Sequence, residues 1–379
     1  MELNFIGKTK IFFDSKNVQL LLVIAMLIPL FLINVIDYHD WGGDFAQYIQ
    51  QSINIVNGKI QNTSHYIFNP ENNYLGPPSY SVGFPLLIAP VYGLFGNHII
   101  VFSYFMTLIL VVTMVCVFKF LNQYFNLMIA LSGTMIFAFN PWILSFKGEI
   151  LSDLPFSLFL LLSLLVYEKN KKNKKRKLIA FIVGILIGYS MLIKSIGILM
   201  LIAIIFDYLV SIISIKKSKP NKKMLREFSL AGILILSTLL TYLIIGFFIF
   251  PAKHESYSFF YSLFNFKELG NIVLNNLDYY IKIFQDFFHP RNGNWNFAPL
   301  ITKAFALTFL IVGLFLRFTQ KPGVKEFLLI LYLFVILTFP NTTQGFRYLL
   351  PIFPILMYYI IYGLKSIQLE ANKYKYFII

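Results

Sequence analysis

Five acids and four cations stand out from an otherwise apolar chain. Asp37, Asp40 and Asp44 follow the first apolar stretch, and Glu149 and Asp153 sit in the run PWILSFKGEILSDLP, residues 141–155. Lys147 lies in the same run, Lys194 interrupts a long apolar segment, Arg291 falls in an aromatic segment, and Arg347 opens the last apolar stretch. Ionisable groups kept at a membrane boundary point to function, because desolvating them is costly. A carboxylate there can take a proton from an acceptor hydroxyl, and cations can hold a departing phosphate. A sugar carried on a polyprenyl phosphate would present such a phosphate at headgroup level. Plainer roles stand beside these. Asp44 could cap the helix that follows it, Asp153 could cap a helix whose first turn holds Pro155, and Arg347 and Lys194 could snorkel to headgroups. His39 beside Asp37, Asp40 and Asp44 brings an imidazole and carboxylates together, but in no tight ligand motif, so no metal is expected.

Membrane elements must position these groups. The 379 residues are 58% hydrophobic and only 13% charged, with 42 Phe and 23 Tyr and a mean hydropathy of +0.70. Such a chain has the bilayer as its solvent, which excludes an ordinary soluble protein. The net charge of +15 is not a nucleic-acid signal, because the cations cluster in short runs between apolar segments. The lone Cys116 lies in an apolar run and allows no disulfide within the chain.

About ten apolar stretches are candidate spans: Val18–Ile36, His98–Leu121, Asn126–Leu144, Leu154–Tyr167, Leu178–Ile193, Ile196–Ile215, Phe228–Phe250, Ala298–Leu316, Phe327–Phe339 and Tyr348–Leu364. A break is expected at Lys194, Ser195 and Gly197. Most Lys and Arg residues fall in alternate connecting segments, including KNKKNKKRK (169–177) and KKSKPNKK (216–223), read as solvated orientation signals. That bias predicts a cytoplasmic N-terminus and an outward-facing first loop at 37–96. In that loop Asp44 opens a helical period, with Phe45, Ile49, Ile53 and Val56 on one face and Gln47, Gln50, Gln51, Asn54 and Asn57 toward the other, stopped by Gly58. A helix lying on the membrane surface is expected there. Ser81–Phe95, interrupted by prolines, reads as a second interfacial helix. A later outer loop covers 251–297. Tyr48, Trp41 and Trp295 read as interface aromatics. The expected architecture is an all-α integral membrane protein, one polytopic domain over 1–379, with no soluble C-terminal domain.

Several runs carry a family resemblance. GGDFAQYIQQSINIVNGK and GPPSYSVGFPLLIAPVYGLFG resemble the first outer loop of the GT-C polyprenyl-phosphate-dependent membrane glycosyltransferases, in the branch of protein O-mannosyltransferases and aminoarabinose transferases. NPWILSFKGEILSDLPFSLFLLLSLL resembles that family's second outer loop and the span after it, GILIGYSMLIKSIG a later turn, and RYLLPIFP its last span. The resemblance implies Asp44 as catalytic base, with Asp153 and Glu149 at a second acidic position that orients acceptor or donor sugar. It places Arg347 and Lys194 on the lipid phosphate, with Lys147 and Arg291 as further candidates. Many members carry an acidic pair at the first position; here Phe45 follows Asp44. The resemblance also implies an inverting transfer to a protein, lipid or glycan hydroxyl, with no cofactor and no obligatory metal. The alternatives from the residues alone are a transporter or lipid flippase, and a surface-polysaccharide polymerase or ligase. No two halves of the chain resemble each other, which disfavours a transporter built on repeats.

Overall fold

A computed structural model describes residues 15–37, 44–61, 79–171, 173–216, 221–251, 268–288, 298–320, 322–339 and 345–375. Among these every regular element is helical: α1 Lys16–Leu27, α2 Asp44–Val56, α3 Gly83–Phe95, α4 Ile99–Leu121, α5 Leu127–Ala138, α6 Pro141–Gly148, α7 Asp153–Asn170, α8 Arg176–Ile193, α9 Ile198–Lys216, α10 Asn221–Leu243, α11 Leu269–Phe287, α12 Ala298–Phe318, α13 Val324–Thr338 and α14 Phe353–Lys375. Short 3-10 turns extend α1 (Ile28–Phe31), join α8 to α9 (Ser195–Gly197) and precede α14 (Gly345–Tyr348 and Leu350–Ile352).

Five helical segments are long and apolar enough to cross a bilayer: Ile99–Leu121, Arg176–Ile193, Ser195–Ile213, Met224–Ile249 and Leu350–Ile367. A sixth is added if α5 and α6, bent by 57°, form one broken span. The described residues thus stop short of the ten spans expected. The stretch 126–144 divides because Pro141 lacks an amide hydrogen and holds Asn140 extended (ψ 135°), while the Asn140 side chain caps Trp142 N at 2.9 Å. Others, such as Lys16–Phe31 and Ala304–Phe318, are shorter apolar helices. The expected break at Lys194 is present. Lys194 is extended (φ −144°, ψ 129°) between α8 and the 3-10 turn.

α7 is the central strut. It packs on α4 and α8 and on the turn Leu350–Ile352, while α8 packs on α10, and α12 on α14. The last pair is in very close approach, since a Cβ on Gly313 would lie 2.0 Å from Tyr359 O and one on Gly363 2.2 Å from Phe309 O. Small residues at a helix crossing let backbones meet where lipid supplies no hydrophobic drive for association.

Charged residues gather at the two ends of α7. Its N-terminus carries Asp153 and its C-terminal turn Glu168, separated by about 22 Å of helix. At the Glu168 end, Lys325 Nζ lies 3.7 Å from both Glu168 and Glu326 and 4.6 Å from the Tyr124 ring centroid, and Arg317 reaches Glu326 at 3.3 Å. There the basic run 169–177 is not wholly solvated as expected. Lys171 pairs with Asp207 at 2.6 Å, and Arg176 grips Glu227 through two 2.6 Å bonds. These pairs tie the ends of α7 and α8 to α9 and α10.

Candidate active site

The N-terminal end of α7 holds the other ionic group. Asp44, the first residue of α2, directs Oδ2 to Arg347 Nη2 at 3.0 Å. Arg347 Nε donates to Asp153 Oδ2 at 3.1 Å, and Lys194 Nζ donates to Asp153 Oδ1 at 2.6 Å. Four residues from four distant parts of the sequence thus form a chain of alternating charge: Asp44, Arg347, Asp153, Lys194. Asp153 is fully buried, whereas Lys194, Arg347 and Asp44 keep 20%, 24% and 28% of their side-chain surface. The buried member lies inside the chain, and both of its ends, Asp44 and Lys194, keep some exposed surface.

Each member is placed by a local feature. Lys194 is available because the helix breaks beneath it. Arg347 sits on a 3-10 turn that starts at Gly345, whose φ of +58° suits glycine. Phe346 pins that turn, buried between the rings of Phe287 (5.4 Å), Phe353 (5.4 Å) and Trp142 (6.1 Å). Asp153 opens α7, and its carboxylate is committed to two cations rather than to capping. Burial alone would push the Asp153 carboxyl up, but Lys194 and Arg347 outweigh that and hold it below the usual range. For Arg347, burial opposes the charged form, and Asp153 and Asp44 overcome it, so its guanidinium is held even more firmly protonated than usual.

Tyr80 was not singled out by the sequence. Its hydroxyl donates to Asp44 Oδ1 at 2.6 Å. Its main chain is clasped by the Gln51 amide, Nε2 to Tyr80 O and Tyr80 N to Oε1, both at 2.9 Å. Its ring lies 4.9 Å from that of Tyr48, whose hydroxyl is 3.0 Å from Ser152 Oγ beside Asp153. Tyr48 is therefore a buried packing residue, not an interface aromatic. α2 is a helix with the expected period, but it is packed into the protein rather than laid with its polar face to water. Gln47, Gln51 and Asn54 of the polar face are buried in protein, while Val56 on the apolar face is exposed. Gln51 follows Asp44 by seven residues, two turns on one face, and that spacing was the available signal.

The other candidates fall differently. Glu149 is half-buried between α6 and α7, and burial raises its carboxyl, with Arg347 opposing and Asp153 reinforcing the rise. Lys147 turns inward, fully buried, and its ammonium donates to Asn34 O at 3.1 Å and Thr107 Oγ1 at 3.4 Å, so it is not part of the charged chain. Arg291, Asp40, His39, Trp41 and Trp295 lie outside the described residues. Among the described residues no group of three or more His, Cys, Asp or Glu side chains could hold a metal ion.

The start of α3 is locked to the end of α8 close to this site. Tyr189 OH donates to Gly83 O at 2.9 Å, and a Cβ on Gly83 would lie 2.5 Å from the Leu192 carbonyl carbon. Gly83→Val is therefore expected to force the two backbones apart, costing about 1–3 kcal/mol. A lowered unfolding midpoint of the purified variant would show this; an unchanged midpoint would contradict the close approach.

Residues 79–247 match the family described as dolichyl-phosphate-mannose-protein mannosyltransferase. No curated protein sequence matches the chain. The fold is similar to that of the oligosaccharyltransferase of Archaeoglobus fulgidus, crystallised tethered to an acceptor peptide containing the NVT sequon (TM-score 0.55, 16% identity, 96% of this chain and 51% of that one). A second structure of that archaeal protein, AglB, in complex with an inhibitory peptide and a dolichol-phosphate, gives a TM-score of 0.52 at 14% identity, covering 95% of this chain and 51% of that one. The chain spans about half the length of that protein. The apolar helices are those of a multi-pass membrane protein, and its fold is similar to that of the archaeal oligosaccharyltransferase. The match over 79–247 agrees with the resemblance read from the sequence.

Proposed function

We propose that the protein transfers a sugar from a polyprenyl-phosphate donor to an acceptor hydroxyl on the outer face of the membrane, with Asp44 as general base. The alternating chain Asp44–Arg347–Asp153–Lys194 carries this reading. It sets a partly exposed carboxylate, Asp44, beside Arg347, with Lys194 joined to the same guanidinium through Asp153, which brings a base and two cations into one group as an in-line displacement of a lipid phosphate needs. The acceptor O–H gives its proton to Asp44, and the acceptor oxygen forms a bond to the anomeric carbon. The bond from that carbon to the phosphate oxygen breaks, and its electron pair leaves on the polyprenyl phosphate, steadied by Arg347 and Lys194. Inversion at the anomeric carbon is what the family resemblance implies. The lysine and arginine run of 169–177 lies at the other end of α7 from this site, and the excess of positive residues on that side supports a cytoplasmic location for it. The proposed step places the leaving phosphate on Arg347 and Lys194, so chelators are expected to leave transfer intact. Acceptor identity and sugar belong to the same proposal: a protein, lipid or glycan hydroxyl and a single lipid-linked sugar.

The direct test incubates the purified protein with polyprenyl-phosphate sugars labelled in the sugar. Label should leave the lipid fraction when an acceptor hydroxyl is supplied. Retention of all label on the lipid across hexose and pentose donors would overturn the reading.

Glu149 gives this site a pH dependence. As pH rises through its elevated range the carboxyl ionises beside Arg347 and competes with the donor phosphate. Donor affinity should therefore fall with rising pH in the wild type and fall less in Glu149→Gln. Parallel affinity profiles for the two proteins would contradict this.

A further inference from the structure

Asp44 is held by two groups of unequal permanence. The Tyr80 phenol is fixed independently of the ionic chain, by Gln51 on its main chain and Tyr48 on its ring. Arg347 is shared. Its Nε is on Asp153, which is fully buried, and its Nη2 is on Asp44, where both side chains keep about a quarter of their surface. Removing a partner from a fully buried ion is costly, whereas a pair that water reaches is held more weakly. Of the two bonds Arg347 makes, only the one to Asp44 is cheap to exchange. A phosphodiester is a good replacement, because guanidinium edges bind phosphate oxygens strongly and directionally.

Taking the sugar transfer proposed above as given, we infer that the donor phosphate takes Arg347 Nη2 from Asp44, leaving the base oriented by Tyr80, so that Asp44 is released only on protein already loaded with donor. Arg347 keeps Asp153 throughout and pivots little. Tyr80 becomes the positioning residue of the base, and binding is ordered, donor before acceptor. Asp44 in the unloaded protein competes with the donor for the same guanidinium nitrogens.

That competition gives an unusual expectation. Polyprenyl phosphate without sugar should bind Asp44→Asn more tightly than wild type, by up to about five-fold, as measured by calorimetry on the full chain in lipid nanodiscs. The variant that loses the base should gain affinity for the leaving group. Equal or weaker binding by Asp44→Asn, with normal binding by wild type, overturns the exchange and leaves sugar transfer standing. Failure of the wild type to bind polyprenyl phosphate overturns sugar transfer itself. Tyr80→Phe provides a second readout. It should lower kcat about 10-fold or more, as expected for misplacing a general base, with donor KM unchanged. A rise in donor KM with kcat unchanged would show that Tyr80 serves donor binding and not the base.

Discussion

Asp44→Asn is expected to lower kcat for sugar transfer by about 10²–10⁴-fold while the protein folds and inserts normally. The size is that of losing a general base. The substitution keeps the shape of the side chain and its acceptor oxygen for Tyr80, but an amide cannot take the acceptor's proton. Stability should hardly change, because Asp44 and Arg347 are partly exposed and Arg347 retains Asp153. The measurement is single-turnover transfer from labelled donor, paired with the unfolding midpoint in detergent. Wild-type turnover in a folded Asp44→Asn protein would remove Asp44 from the chemistry and with it the proposed mechanism.

The charged members of this site were legible in the sequence because charge is rare in it. In a chain with 13% charged residues, an acid or cation next to a span stands out, and Lys194 was marked further by the break it causes. Asp44, Asp153, Lys194 and Arg347 could all be named before their meeting was visible. The uncharged members could not. Tyr80 is one of 23 tyrosines, in a stretch with no period, and what distinguishes it is the Gln51 clasp, a contact across 29 residues. The orientation of α2 failed for a related reason. Periodicity shows which residues share a face, but not whether the polar face meets water or buried polar partners. Lys147 and Lys194 show the limit for cations. Both read as candidate phosphate ligands, yet the inward turn of α6 buries Lys147 against neutral oxygens, while the extended backbone at Lys194 aims it at Asp153. The bend within 126–144 was not legible, because hydropathy sums over Asn140-Pro141 without registering the turn it imposes.

Asp153 should behave in the opposite way to Asp44, and replacing it is the change with the largest expected effect on stability. Asp153→Ala leaves Lys194, largely buried, without its carboxylate, and leaves Arg347 with Asp44 alone. An unbalanced buried charge costs about 3–5 kcal/mol, well above the effect of Asp44→Asn, and the unfolding midpoint should drop accordingly. The pH dependence has a definite sign. Because the Asp153 carboxyl is held below its ordinary range, its pairing stabilises the fold above the unfolded-state Asp pKa and is lost as pH falls through the depressed folded value. Asp153→Ala should therefore lose the part of acid destabilisation that the wild type owes to this group. Coupling separates the ionic role from simple loss of packing. Lys194→Met alone leaves Asp153 with Arg347. In the double variant Asp153→Ala with Lys194→Met only Arg347 remains charged there, and Asp44 can still balance it. The double variant should be less destabilised than the sum of the two single variants by about 1–3 kcal/mol. Strict additivity would mean that Lys194 and Asp153 do not sense each other, and the alternating chain at the mouth of α7 would not be an electrostatic unit.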